Sequence, residues 1–358
     1  DALGRYGCAY SGYCGSYGCN TGAKGSARAA LLDRAVATGR CEIRPHSFVE
    51  RLESDRRGRV VAVHYRDREG RRRRLDARRY VVACQAIETC RLLLLSRGPR
   101  HPDGLGNRSG QVGRNLLFSA GGIGGGVIRY DRLSPSDAEA LAEVGPFVNR
   151  GLQQWYEIEE PDLGGRVKGG TIDFLFDHPN PIRRALREKW DGGRLVWGSE
   201  LKRRIHTAFT EGRGFRFEVF CDWLPTDDCR VTLDPRVRDR WGVPVARVRV
   251  GHHPHDVRLG RWLAARAEAV LRALGAERVA SSTTGDPPPN LQAGGCRFGT
   301  DPAQSVLDPD CRLHDAPEVY VTDGSFMPTG GSVPYTWTIY ANAFRVADRL
   351  VADLGHPT

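Results

Sequence analysis

Apolar and polar residues alternate along VVAVHYRDREGRRRRLDARRYVVA, and the alternation breaks at Glu69 and Gly70. A period of two predicts a pair of strands joined as a hairpin over 59–83. CEIRPHSFVERLES predicts a strand just before it. The apolar positions of GAKGSARAALLDRAVATG fall instead on one helical face and stop at Gly39; ETCRLLLLSRG predicts a short helix that stops at Gly98. Residues 98–126 are glycine-rich and irregular, with GGIGGGVIRY leading into a strand.

From about 127 to 285 the character changes. Strand-like GGTIDFLFDH and GFRFEVFCDWLP alternate with arginine-rich helical pieces, and Trp155, Trp190, Trp197, Trp223 and Trp241 concentrate there. A sheet with one helix-covered face and one open face would offer such side chains to a ligand, although any single tryptophan suits a core equally well. DVRLGRWLAARAEAVLRALG predicts an amphipathic helix ending at Gly275, TTGDPPPN a linker, and TWTIYANAFRVADRLVADL a last helix. The expected layout is A–B–A, in the mixed α/β class: residues 1–126 and 286–358 belong to one unit, and 127–285 form an inserted antiparallel-sheet unit.

Near the end, YVTDGSFMPTGG reads as a strand that opens into a loop at Asp323 and Gly324. A carboxylate and a glycine at a strand's end suit a loop that meets a ligand, because backbone can approach closely there. No G-x-G-x-x-G or Walker-type loop accompanies it to hold phosphates.

At 358 residues, 40% hydrophobic and 27% charged, the composition is that of a globular protein. No stretch reaches the roughly 18 apolar residues of a membrane span, and nothing resembles a signal peptide, so a cytoplasmic protein is expected. The chain starts at Asp1 and its only methionine is Met327, which suggests the C-terminal part of a longer chain. The net charge of +10 includes the run Arg71 to Arg74. Such a run can bind nucleic acid, but it lies in the predicted hairpin without interleaved aromatics, so a solvated face is the better reading. Of ten cysteines, Cys8, Cys14 and Cys19 cluster at spacings of six and five residues. Those spacings differ from the C-x₂-C pairs of structural zinc, and no metal site is expected; an iron–sulfur cluster on three thiolates is the alternative.

GGCRFGTDPAQSVLDPDCRLHDAPEVYVTDGSFMPTGG followed by TWTIYANAFRVAD resembles the C-terminal block of the glucose–methanol–choline (GMC) oxidoreductases. VVACQAIETCRLLLLSRG resembles that family's second signature, VGRNLLFS its V-G-x-N-L loop, and DCRVTLDPRVRDRWGVPVARVRV its N-R-V-x-L-D strand. GYCGSYGCNTGAKGS is most similar to the branch of sugar-acid dehydrogenases and aminosugar (aminoglycoside) oxidases. These resemblances follow the family's order over nearly the whole chain. They imply an FAD-dependent enzyme that oxidises a hydroxyl of a sugar or aminosugar by hydride transfer, with molecular oxygen or another acceptor taking the electrons. They also imply a doubly wound FAD-binding domain whose dinucleotide-binding unit is not among these residues. By position, Asp323 and Gly324 match the pair beside the cofactor's pyrophosphate and ribityl chain, and Val49 the residue that meets adenine. Thr336 and Thr338 fall where the last helix directs its positive end at the isoalloxazine.

The departures concern proton chemistry. The family's active-site histidine falls at Leu291, and its second catalytic residue, Asn or His, at Pro334 or Val333. Gln85 and Cys90 replace a glycine and a proline of the second signature. A base for the hydroxyl proton contributes roughly 10²–10⁴ in rate. The candidates are Tyr335, Asn290 and Gln292, or an amine on the substrate itself. His314 is expected to be an exposed surface histidine. Two other readings compete: a flavin- or sugar-binding protein without redox chemistry, and an iron–sulfur sugar dehydrogenase subunit.

Overall fold

Two hydrophobic cores organise the chain. The computed structural model describes residues 4–355 except 16, 144, 146–147, 177–178 and 284–289, so most of the Pro/Gly linker lies outside the described residues. One core gathers side chains from Leu52 to Phe118, from Trp223 to Val231 and from Ala293 to Val346. The other gathers Ile128 to Leu271.

Strands β1 (Phe48–Ser54), β2 (Val60–Arg66) and β3 (Arg72–Asp76) form one antiparallel sheet. The hairpin turns at Gly70, whose φ of +77° a glycine adopts without strain. The sequence pattern extended this hairpin to residue 83, but β4 (Tyr80–Val82) leaves it and pairs in parallel with β13 (Ala316–Val321). Tyr80 and Val82 are buried, so the apolar alternation there reports a second sheet. The arginine run is exposed and paired, Arg73 with Asp67 at 2.9 Å and Arg74 with Glu53 at 2.9 Å. Residues 41–47 are irregular rather than strand, interrupted by Pro45 and by His46 at φ +56°.

The second core is a five-stranded antiparallel sheet in the order β10 (Glu277–Thr283), β6 (Ala120–Arg129), β9 (Gly212–Cys221), β8 (Gly170–Phe176) and β7 (Val148–Leu152). Helix α3 (Pro254–Ala273) lies on one face, burying Leu259, Leu263, Ala267 and Leu271 against Ile172, Phe174, Phe217 and Val219. The glycine run of β6 lies within the strand. A Cβ on Gly124 would stand 2.3 Å from Phe217 Cζ, so the phenylalanine ring occupies that space.

One segment departs from the expected division. The hairpin of 230–238 and 244–249 returns to the first core, where it packs on α1 (Ala86–Leu95). Arg91 of α1 fixes it, donating to the Pro244 carbonyl at 2.8 Å and to Asp239 at 2.7 Å. Helix α4 (Thr336–Asp353) closes the chain.

Candidate functional site

Parallel strands β4 and β13 end at the same rim, since Val82 is the register partner of Val321. In sheets with parallel strands, ligands favour the rim at the carboxyl ends. Beyond β13 comes Asp323, only 8% exposed. Its carboxylate accepts hydrogen bonds from the Thr89 hydroxyl of α1 and from Ser325 N at 2.8 Å. Beyond β4 comes Gln85, held at φ +76°, whose side chain accepts from Ile87 N and donates to Gln292 Oε1 at 2.9 Å. Gly324 is hemmed in: a Cβ there would lie 3.1 Å from Ile339 Cδ1 and 3.3 Å from the Gln292 carbonyl. Asp323, Gly324 and Gln292 therefore form one group, although 31 positions separate Gln292 from Asp323 in the chain.

A second group surrounds residues 118–119. The Tyr335 hydroxyl donates to the Phe118 carbonyl at 2.5 Å, Ser119 N donates to the Asn290 carbonyl at 3.0 Å, and the Ser119 hydroxyl reaches the Val333 carbonyl at 3.4 Å. Tyr335 is 2% exposed, and burial pushes its phenol well above the ordinary range. Asn290 is exposed and its side chain turns back to Leu291 N; Leu291 sits at φ +54°. Helix α4 begins after Tyr335 without a side-chain cap, and Thr336 and Thr338 in its first turn are exposed. An uncapped helix N-terminus presents unpaired amides and partial positive charge. Val49 stands apart on β1, 37% exposed.

The loop 330–335 also meets a cluster the sequence did not reveal. A Cβ on Gly330 would lie 2.9 Å from both Asp222 Oδ1 and the Tyr335 hydroxyl, and 2.6 Å from Trp223 N. Asp222 lies 3.6 Å from Lys168 Nζ, and burial pushes its carboxyl up. Asp256, fully buried, accepts from Leu224 N at 3.0 Å through one oxygen and leaves the other unpartnered. Burial pushes its carboxyl to about 7. A raised carboxyl pKa means the fold favours the protonated form, so its contribution is complete below the ordinary 3.8 and is lost as pH rises through about 7. Asp256→Asn should flatten the fall in stability between about pH 4 and 7 and stabilise the protein at pH 8 by on the order of 1–3 kcal/mol. Urea unfolding midpoints across that window measure it; identical pH slopes in both proteins would contradict it.

His314 is partly buried rather than exposed, because its Nε2 lies 2.9 Å from the Ser305 hydroxyl. Cys8 and Cys14 are exposed free thiols, and among the described residues no three His, Cys, Asp or Glu side chains converge as a metal site requires. No described helix is long and apolar enough to cross a membrane.

Comparison with known proteins adds the family. A GMC oxidoreductase N-terminal profile matches residues 5–119, and a C-terminal profile matches 225–343. The 6'''-hydroxyparomomycin C oxidase of Streptomyces lividus is 35% identical over 356 residues, covering 98% of this chain and 60% of that protein. The paromamine 6'-oxidase of Streptomyces fradiae is 34% identical over 353 residues, with the same coverage of 98% and 60%. The chain thus spans about 60% of the length of these relatives. Among solved structures, an FAD-dependent oxidoreductase from Chaetomium thermophilum superposes with a TM-score of 0.57 at 15% identity, covering 92% of this chain and 65% of that one. Pyridoxine 4-oxidase gives 0.53 at 16% identity, covering 85% and 57%. Both show a shared fold. With the two profiles matching in order and together covering more than half of the chain, the chain belongs to the GMC oxidoreductase family.

Proposed function

We propose that this chain acts in an FAD-dependent oxidoreductase that oxidises a hydroxyl group of an aminosugar. The observation that carries the cofactor assignment is the convergence of buried Asp323, hemmed-in Gly324 and Gln292 where β4 and β13 end, beside the uncapped start of α4. These residues fit a dinucleotide: Asp323 and Gly324 would hold the pyrophosphate and ribityl chain, Val49 the adenine, and Thr336 and Thr338 the isoalloxazine end. FAD bound there supplies the hydride acceptor, with molecular oxygen or another acceptor receiving the electrons. The substrate class is supported by the two Streptomyces oxidases, whose names place them on paromamine and a paromomycin derivative. On this reading 1–126 and 286–358 bind the cofactor, and most of 127–285 faces the substrate.

The remaining chemistry is the hydroxyl proton. Leu291 has no group to take it. The Tyr335 hydroxyl already donates a hydrogen bond to the Phe118 carbonyl, and burial disfavours its phenolate, so its role is to position the 330–335 loop. Asn290 and Gln292 carry amides, which bind and orient a hydroxyl without accepting its proton at neutral pH. A neutral amine on the sugar serves as the base. The natural full-length protein should therefore purify with a flavin spectrum that bleaches when aminosugars, paromamine first, are added without oxygen. A colourless protein, or a flavin that no aminosugar bleaches, would exclude the proposal.

A further inference from the structure

Cys90 of α1 and Cys296 are 206 positions apart in the chain, yet their Sγ atoms stand 3.7 Å from each other. Both residues are 0% exposed and both thiols are free. Neither takes part in the chemistry proposed above.

Their surroundings favour a bond between the two sulfurs. A Cβ on Gly295 would lie 2.5 Å from Cys90 Sγ, so the missing side chain leaves that sulfur room beside the Cys296 backbone. Cys296 is fixed from the other side. Its N donates to the Ser325 carbonyl at 2.9 Å, and the preceding Gly295 carbonyl accepts from Gly113 N at 2.7 Å. The neighbouring Cys90 thiol and burial push the Cys296 thiol up, so the pair rests as two neutral thiols sharing a hydrogen bond. Cys311, also buried, rests instead against Asn342 and Arg345. A disulfide holds its sulfurs about 2.05 Å apart, so closure calls for a shift of under about 2 Å.

We propose that Cys90 and Cys296 form an oxidative modification site, at which hydrogen peroxide closes a disulfide. One sulfur, as its thiolate, attacks a peroxide oxygen; the O–O bond breaks, leaving a sulfenic acid and hydroxide. The second sulfur then displaces the sulfenic hydroxyl, and the S–S bond forms. In all, two thiols give up two electrons and two protons, and one peroxide becomes two waters. Burial keeps the thiolate scarce, so closure is slow at neutral pH and quickens as pH rises. Thr89, next to Cys90, and Ser325, bound to Cys296 N, are the two donors to Asp323. The cross-link therefore joins both arms of the Asp323 turn. It does so whether or not the chain oxidises an aminosugar.

The test is peptide mapping of the full-length protein after hydrogen peroxide at mildly alkaline pH, with remaining thiols alkylated in denaturant. Cleavage after arginine, lysine and glutamate leaves Cys90 in residues 89–91 and Cys296 in residues 279–297. The expected product is this peptide pair joined with the loss of two hydrogens and separated by dithiothreitol. The urea midpoint of the oxidised protein should rise by about 1 M, because a long loop is closed in the unfolded chain. Cys296→Ser should show neither the link nor the rise. Both cysteines recovered alkylated, each oxidised separately to a sulfinic acid, or Cys90 joined to a different cysteine would overturn the site. The wild-type map alone decides this, should Cys296→Ser fail to fold.

Discussion

Replacing Asp323 with Ala should strip the full-length protein of most of its flavin and lower its stability by about 3 kcal/mol, since it removes the acceptor of two buried donors. The Thr89 hydroxyl and the Ser325 amide both point at this carboxylate, and both residues are 0% exposed. Folding and cofactor retention would fall together in that variant, so Asp323→Asn separates them. The amide still accepts from Ser325 N, which keeps the turn closed, while the negative charge is lost. Asp323→Asn should remain folded and bind FAD roughly tenfold or more weakly, as expected when a charge-assisted contact becomes neutral. Equal FAD affinity in a folded Asp323→Asn protein would remove Asp323 from the cofactor site.

Acetylating the amine beside the oxidised hydroxyl should lower the rate of flavin reduction by about 10² or more, the typical contribution of a general base. The log of kcat/KM should then rise with pH to a plateau set by the substrate amine and move when that amine is methylated. Tyr335→Phe should stay within about tenfold of the wild type in flavin reduction, while losing about 1 kcal/mol of stability with its bond to Phe118. A hundredfold loss in Tyr335→Phe with retained flavin would transfer the proton to that phenol. Indifference to acetylation, with Tyr335→Phe at full rate, would exclude both the substrate amine and the Tyr335 phenol as the base.

Much of this architecture is legible in the sequence. The amphipathic helix ending at Gly275 forms as α3, and the aromatic strands form as β8 and β9, because each pattern reports which face is buried. The Asp323 loop was legible because a carboxylate and glycines after an apolar strand have a local meaning. What stayed hidden depends on partners distant in sequence. Nothing in the short run Tyr80–Val82 indicates that it pairs with a strand near residue 320 rather than continuing its hairpin. Arg91, which ties the 230–249 hairpin to α1, reads locally as one more surface arginine until its partners Pro244 and Asp239 are known. That Asp173 of β8 stands opposite Glu218 of β9 is likewise set by register, and a shift of one residue would have sent one carboxylate into the core. Two of the proton-chemistry candidates were singled out by neighbouring a position that lost its histidine, and sequence adjacency carries no information about where an amide or a phenol points. Tyr335, packed against Phe118, shows the difference.

The most direct measurement is a single anaerobic turnover: the full-length protein is mixed with one equivalent of an aminosugar, the flavin absorbance is followed, and the sugar is recovered for mass analysis. One flavin bleached for each sugar that loses two hydrogens, with the carbonyl at a former hydroxyl carbon and the amines intact, is the expected result. A flavin that stays oxidised while the sugar returns unchanged, or a sugar altered without any flavin change, would contradict the assignment of this chain to aminosugar oxidation.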